Sequence, residues 1–382
     1  MLKQNCTLAK IASLSILMLG LETQTVEAFT VISFDGKPAR WEKNKTIQVQ
    51  LDSDFGKDFD RFGCDDFGAC ITPATAVQSA MNEWKNVDDI DLKFAPLQVK
   101  KISSVPSYDG INQIKLYSSQ WETLPGAFPS SALAVTISTY GGDGEIKDSD
   151  IFINAKNFDW AVVNAGEENA FHDVENVITH EMGHFLGLDH TSTNSNELDS
   201  ARYNATMFYA SLPGETFRRS LDTLDVSGIQ HLYSDQNVVE PVVDDVTPND
   251  VQVSFKGNTI VEIYGDNFLP TTSVVLARTT NDGDIVGRVM SVQSNKIKVA
   301  IDFSEMQTGE YDLVVANTYN SFTRVNNAIT VDNAYVMGTY NNDSSSAESG
   351  GGGCQSNGSS SLLFFLIPAL LILPRRLKNQ QI

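Results

Sequence analysis

At 382 residues and a formal net charge of −21, the chain is long enough for two ordinary domains and is strongly acidic. That charge argues against nucleic acid and anionic membrane surfaces as partners. It suits a soluble exported protein, and equally suits Asp-rich loops that hold calcium.

The first 28 residues carry Lys3 and Lys10, then an apolar run from Ile11 to Leu21, then "TVEA" before Phe29. A charged start, a short apolar stretch and a small-residue site favour an export signal cleaved after Ala28 over an anchor helix. The apolar run is short for a bilayer span. Cys6 would leave with this signal. Cys64 and Cys70 lie in "GCDDFGAC", where a disulfide would close a small loop in an oxidising compartment.

"RWEKNKTIQVQLDSDF" alternates through Ile47, Val49 and Leu51, which predicts a strand. In "TPATAVQSAMNEWKNV", Val77, Ala80, Met81 and Trp84 recur at i, i+3, i+4 and i+7. They form one face of an amphipathic helix, with Thr72 as cap and Pro73 in the first turn. "DGINQIKLY", "SALAVTIS" and "GGDGEIKDSDIFIN" read as strands behind turn residues. A helix should then run from the cap Asp173 to about Leu186, with Gly187 as its stop. This unbalanced order of strands and helices predicts an α+β domain over 29–233.

Residues 234–247, acidic and proline-bearing, read as a linker. Over 248–332, short alternating strands ("NTIVEIYG", "TSVVLAR", "NKIKVAID", "EYDLVVAN") predict an all-β sandwich. Residues 333–361 are rich in Ser, Gly and Asn and read as a flexible segment. The remainder, 362–382, holds an apolar run from Leu362 to Leu373 interrupted by Pro368, then Arg375 and Arg376. It is short for a membrane span.

The chemistry concentrates in "THEMGHFLGLDHTS", which holds three of the five histidines. On a helix, His180 and His184 project from one face a turn apart. Gly187 permits a left-handed turn that can return His190 as a third ligand. Three neutral nitrogens with one open position describe a catalytic rather than a structural zinc site. Zinc lowers the pKa of its water towards ~7 and polarises a carbonyl. Glu181, a quarter turn away, can take that water's proton as general base and pass it to a leaving amine. The reaction class is amide hydrolysis without a covalent intermediate. By chance, H-E-x-x-H should occur in on the order of a few sequences per thousand of this composition. Adding Gly187 and His190 lowers this by roughly a thousandfold, so a metal site is preferred to a buried structural pair.

These residues resemble the metzincin clan, and within it the matrixins, the matrix-metalloprotease-type family. "HEMGHFLGLDH" has the pattern H-E-x-x-H-x-x-G-x-x-H, with Gly183 and Leu188 in matrixin style. "NATMFYA" supplies a Met-turn candidate at Met207, and "LDTLDVSGIQHLY" is similar to the family's closing helix. "AVQSAMNEWKNVDDIDLKF" and "DSDIFINAKNFDW" resemble its first helix and the strand before the active-site helix. The similarity covers about Arg40–Tyr233. It implies a twisted sheet with an active-site helix, zinc on His180, His184 and His190, and protein or peptide substrates. "ALAVTI" would be the edge strand that pairs with an extended substrate. The segment from Met207 to about Phe217 would wall the S1′ pocket, with Phe208, Tyr209 and Leu212 favouring an apolar P1′ residue. Tyr209 has two readings, an oxyanion-stabilising tyrosine or a pocket wall.

Departures are informative. The second zinc of vertebrate matrixins needs more histidines than His172 and His231, so one catalytic ion is expected. His231 is read as a packing residue. Calcium could sit on Asp143, Asp148 or Asp150, which turn formation explains equally well. Without a cysteine-bearing propeptide, the familiar cysteine switch is not expected. Gly265, Asn267, Phe268, Gly309, Tyr311 and Asn317 give residues 248–332 a resemblance to the IPT/TIG immunoglobulin-like domain, as spacer or docking module. The tail resembles C-terminal sorting signals of Gram-negative bacteria. Two outcomes would follow: cleavage near Cys354 with attachment to the cell surface, or a retained anchor. The competing reading of the whole is an inactive metalloprotease fold used for surface binding.

Overall fold

The computed structural model describes residues 29–34, 36–57, 59, 71–102, 108–141, 144–162, 171–234, 238–252, 258–277, 284–303, 307–332 and 364–366. The expected export signal, Cys64, Cys70, Asp143 and Cys354 lie outside them, as does nearly all of the tail.

The N-terminal region is built on a mixed sheet. Its strands are β1 (Val49–Asp52), β2 (Gln98–Lys100), β3 (Asn112–Tyr117), β4 (Ala134–Tyr140) and β5 (Ile146–Asn154). Their order is β4-β5-β3-β1-β2, with β5, β3, β1 and β2 mutually parallel and β4 antiparallel to β5. β4 therefore runs against its neighbour at one side of the sheet. It is not the outermost strand, however. A short segment, Phe364–Leu366, pairs antiparallel with it in the register Phe364↔Thr139, Phe365↔Ser138 and Leu366↔Ile137.

Two helices pack together beside this sheet. α1 (Pro73–Lys85) begins as the sequence dictates: Thr72 accepts the Thr75 N–H, and Pro73 occupies the first turn. It buries Val77, Ala80, Met81 and Trp84, the face that the periodicity marks. The Trp84 indole N–H donates to Thr179 O at 2.8 Å, which ties α1 to α2 (Val174–Phe185). A third helix, α3 (Thr223–Tyr233), closes the region, and its cap Asp222 and Asp225 form a capping box. One apolar core joins the sheet to these helices through residues such as Trp41, Ile114, Ile151, Val177, Phe185 and Leu232.

The C-terminal region is all β. Its strands are β6 (Val242–Thr247), β7 (Asp250–Gln252), β8 (Asn258–Asp266), β9 (Ser273–Ala277), β10 (Ile285–Gln293), β11 (Lys296–Asp302), β12 (Gly309–Thr318) and β13 (Ser321–Asp332). They follow one another in the order β6-β8-β11-β10-β9-β12-β13-β7, antiparallel except for β13 with β7. β6 lies inside the stretch expected to be a linker; it pairs with β8 and buries Val246. Val261, Val274, Val299, Leu313 and Ile329 fill a second core.

The two regions touch through polar contacts. His231 on α3 is fully buried, with Nδ1 3.1 Å from Thr271 O and Nε2 3.2 Å from Ser273 Oγ. Asp284 accepts from Ser33 Oγ (2.7 Å) and from the Gly36 N–H (2.6 Å). The Arg40 guanidinium lies over the Tyr319 ring while pairing with Asp91. Among the described residues, no helix is long and apolar enough to cross a membrane.

Candidate metal centre and active site

α2 positions the site. Asp173 caps it, accepting the Asn176 N–H at 2.8 Å, and its own carboxylate is held by Arg219 at 2.6 Å. His180 and His184 then stand on one face. The helix ends at Gly187, whose φ of +103° is open to glycine and strained for other residues. A side chain there would also meet Ala39 O at 2.1 Å. Leu188–Asp189 next pairs with Thr30–Val31, and this short ladder brings His190 back over the helix.

The three imidazoles meet through their Nε2 atoms: 3.1 Å between His180 and His184, 3.2 Å between His184 and His190, and 3.2 Å between His190 and His180. Nitrogens around one tetrahedral ion at 2.0–2.1 Å lie about 3.3 Å apart, so this spacing fits zinc. Two tautomers are set by the backbone. His180 Nδ1 is 2.7 Å from Thr206 O and His184 Nδ1 is 2.9 Å from Leu188 O. Each Nδ1–H therefore donates outward and each Nε2 lone pair turns inward. These two facing lone pairs repel unless a cation lies between them, and the buried His190 Nδ1 has no hydrogen-bond partner among the described residues. Burial also keeps the imidazoles neutral. It lowers His184 to about 4 and holds His180 and His190 well below the ordinary histidine value, with neighbouring imidazoles adding to the effect. Among the described residues, this trio is the only group of three or more potential ligands close enough to share an ion.

Glu181 is fully buried beside them. Its Oε2 accepts from Thr136 Oγ1 at 2.6 Å, while Oε1 has no hydrogen-bond partner. Burial pushes its carboxyl up to about 8, and the Thr136 bond partly opposes that rise. A cation on the three imidazoles would pull it back towards the ionised form.

Met207 lies under the ligands with 1% of its surface exposed. Its sulfur packs against the helix: a Cβ added to Gly183 would fall 2.2 Å from Met207 Sδ. Asp225 holds the turn from behind, accepting the N–H groups of Thr206 (2.8 Å) and Met207 (3.0 Å), and that of Asp222 (2.8 Å).

The expected S1′ wall is also tied down from within. The buried Arg218 donates to Tyr203 O (2.6 Å), Ala205 O (3.1 Å) and Ala210 O (3.1 Å), and pairs with Glu215 at 2.7 Å. Phe208 is fully buried beneath the Arg218 guanidinium, and Leu212 is half-buried. Tyr209 is nearly buried, with its ring centroid 6.3 Å from that of His190.

Other sequence-marked residues lie apart from this site. His172 packs against Phe158 and Trp160, and His231 packs against the C-terminal region. Asp148 and Asp150 are buried on β5. Asp150 accepts from the Gln113 N–H and from Gln113 Nε2, both at 3.1 Å, and Asp148 Oδ1 has no partner. They form a pair rather than a three-ligand cluster.

Thr136, Asp225, Arg218 and Asn176 are contributors that the motif does not name. Asn176 accepts the Arg218 N–H at 3.0 Å and so fastens the S1′ segment to α2. Thr136 had a signal, as the polar residue inside "ALAVTI". Asp225 had another, as the second aspartate of a helix start. Nothing in "TFRRS" tells which arginine turns inward.

Residues 71–234 match the family model Peptidase_M10, Matrixin. The match supports a matrixin-like metalloprotease and, with the histidine trio, implies zinc. No curated protein matches the chain. Among solved structures, the chain is similar to the TIG domain from human nuclear factor of activated T-cells, cytoplasmic 4: 18% identity, 24% of this chain, 90% of that one, TM-score 0.21. It is also similar to a structural genomics protein of unknown function from Bacteroides thetaiotaomicron: 12% identity, 26% of this chain, 23% of that one, TM-score 0.21. At these TM-scores neither bears on the fold of the C-terminal region.

Proposed function

We propose that the chain is an exported zinc-dependent endopeptidase that hydrolyses peptide bonds of proteins bound in extended conformation. The observation that carries this reading is the convergence of three neutral Nε2 atoms within 3.2 Å of one another, with a buried glutamate next in sequence to the first. His180, His184 and His190 would hold the ion. When bound, zinc supplies Lewis acidity, polarising the scissile carbonyl and lowering the pKa of water at the site.

The chain's own groups do the rest. Glu181 accepts a proton from the attacking water and returns it to the leaving amine. Thr136 fixes the Oε2 atom, so Oε1, which has no partner, is the atom free for that transfer. β4 offers its backbone to an extended substrate in the place where Phe364–Leu366 now pairs. Phe208 and Leu212 favour an apolar P1′ side chain. Tyr209, held beside His190, stands where it could stabilise the oxyanion or simply wall the pocket.

The remaining parts follow the same reading. Residues 1–28 direct export, and the C-terminal region is an immunoglobulin-like sandwich that holds the protease off a surface. The tail is processed near Cys354; the intact mass of the mature protein tests this, since a retained tail leaves 362–382 in place. The described calcium candidates are Asp148 and Asp150, both buried on β5.

The competing reading is an inactive fold used for binding. Cleavage of casein by zinc-loaded protein, beside its Glu181→Ala variant, separates the two. Cleavage that a chelator stops and the variant lacks supports the protease. Folded, zinc-loaded protein that leaves casein intact favours the binding module or an enzyme of one narrow substrate.

A further inference from the structure

A cavity beside His190 lies between the two regions. Its volume is about 390 Å³, and its wall includes His190, Glu197 and Arg202 from the N-terminal region and Asn258, Val286 and Arg288 from β8 and β10. The third metal-ligand candidate thus faces a space that the protease-like region closes only in part. The all-β region supplies the rest of the wall.

The charges in this wall are not balanced. Glu197 is spent within its own loop: it accepts from Ser192 Oγ (2.6 Å) and from the N–H groups of Leu198 (3.0 Å) and Asp199 (3.1 Å). Arg202 is buried and pairs with Asp199 at 3.2 Å, and its guanidinium reaches across to Val289 O on β10. Arg288 is exposed, and its side chain has no hydrogen bond or ion pair among the described residues. The wall therefore presents one unneutralised cation, in a protein whose net charge is −21. A cationic lip on an acidic molecule repels nothing that is acidic at short range, and it offers a guanidinium for a carboxylate to pair with.

We propose that this inter-region cavity is a substrate subsite that takes an acidic side chain close to the scissile bond, with Arg288 as its counter-charge. The proposal rests on the peptidase reading above. It makes the all-β region part of the substrate-binding surface as well as a spacer. Arg288 is a specificity residue and takes no part in bond cleavage.

The test uses a neutral peptide that the zinc-loaded protein cleaves, with a single Glu moved through four positions on each side of the scissile bond. The native protein should favour Glu at one position or two adjacent ones, raising kcat/KM about two- to fivefold, as expected for a partly exposed ion pair. Arg288→Glu should reverse that preference when each Glu peptide is scored against the neutral parent on the same protein. Equal treatment of all peptides by both proteins overturns the proposal. Binding of the same peptides to zinc-loaded Glu181→Ala protein reads the pocket without turnover. Arg288-dependent binding without cleavage by the native protein would reject the peptidase reading and keep the acidic pocket. Binding indifferent to both Glu and Arg288 would reject the pocket alone.

Discussion

Thr136 on the sheet and Glu181 on α2 are joined by a 2.6 Å hydrogen bond in which the threonine hydroxyl is the donor. The same hydroxyl lies 3.2 Å from the backbone carbonyl of Glu181. The contact spans the seam between β4 and α2, so the strand proposed to pair with substrate also orients the Glu181 carboxylate.

Replacing Thr136 by Val keeps the shape of the side chain and removes this donor. A hydrogen bond to a charged group is worth about 1.5–3 kcal/mol, which corresponds to a roughly 10- to 100-fold loss. The loss should fall on kcat, with KM and zinc content held, because Thr136 touches the base and no metal ligand. Thr136→Ser should restore most of the rate. Steady-state kinetics on one peptide, with zinc measured by mass spectrometry, decide it; a KM effect would assign Thr136 to substrate binding instead.

Gly183→Ala should damage the floor of the site without touching a ligand. The new methyl would stand 2.2 Å from Met207 Sδ and 3.0 Å from Trp84 Cζ2. Overpacking of this kind costs about 1–3 kcal/mol. A lower Tm and weaker zinc binding are expected together. Shortening the opposing side chain in Gly183→Ala/Met207→Val should recover part of both, a non-additive result that independent sites would not give.

The legible parts of this molecule are those fixed by local spacing. Thr72 and Pro73 announce α1, and Val77, Ala80, Met81 and Trp84 give its buried face. Asp173 and Gly187 bound α2, and the motif alone brings His180, His184 and His190 together. What stayed hidden is non-local. Asp225 reaches the Met207 turn across 18 positions, and Arg218 gathers three carbonyls whose neighbourhood no periodicity reveals. The strand Val242–Thr247 was obscured differently. Its acidic residues and Pro241 lower its strand propensity, and only pairing with β8 makes it one. The docking of the two regions through His231 and Asp284 was equally out of reach, since it depends on surfaces built from distant segments.

Asp148 and Asp150 should make stability depend on pH in an unusual direction. Burial, then the charge of Asp148, pushes Asp150 up to about 8; burial, then Asp109, pushes Asp148 up to about 6. Both folded-state values exceed that of an unfolded aspartate, so the fold favours the protonated forms. The contribution is full below about pH 4 and is lost as pH rises through the folded values of the pair. In chelator, Asp150→Asn should therefore match the native protein at pH 4 and exceed it at pH 8.5. The gain is on the order of 1 kcal/mol or more. Tm measured across that range checks the sign. Calcium added at pH 8.5 serves as the second arm: a rise in Tm for the native protein that Asp150→Asn lacks would place the ion on this pair.

Phe364–Leu366 occupies backbone positions on β4 that an extended substrate would need. Each pairing made by the tail is one that a peptide must displace. Two forms beginning at Phe29, one running to the end of the chain and one stopping at Gly353, should therefore differ in KM for an extended peptide. The shorter form should bind severalfold more tightly while kcat stays the same, because the histidines, Glu181 and Thr136 are common to both. A peptide N-methylated at the residue facing Ser138 cannot use that edge and should lose the difference. Equal KM values in the two forms would show that the tail strand yields to substrate at no measurable cost, and that β4 is open to substrate in the full chain.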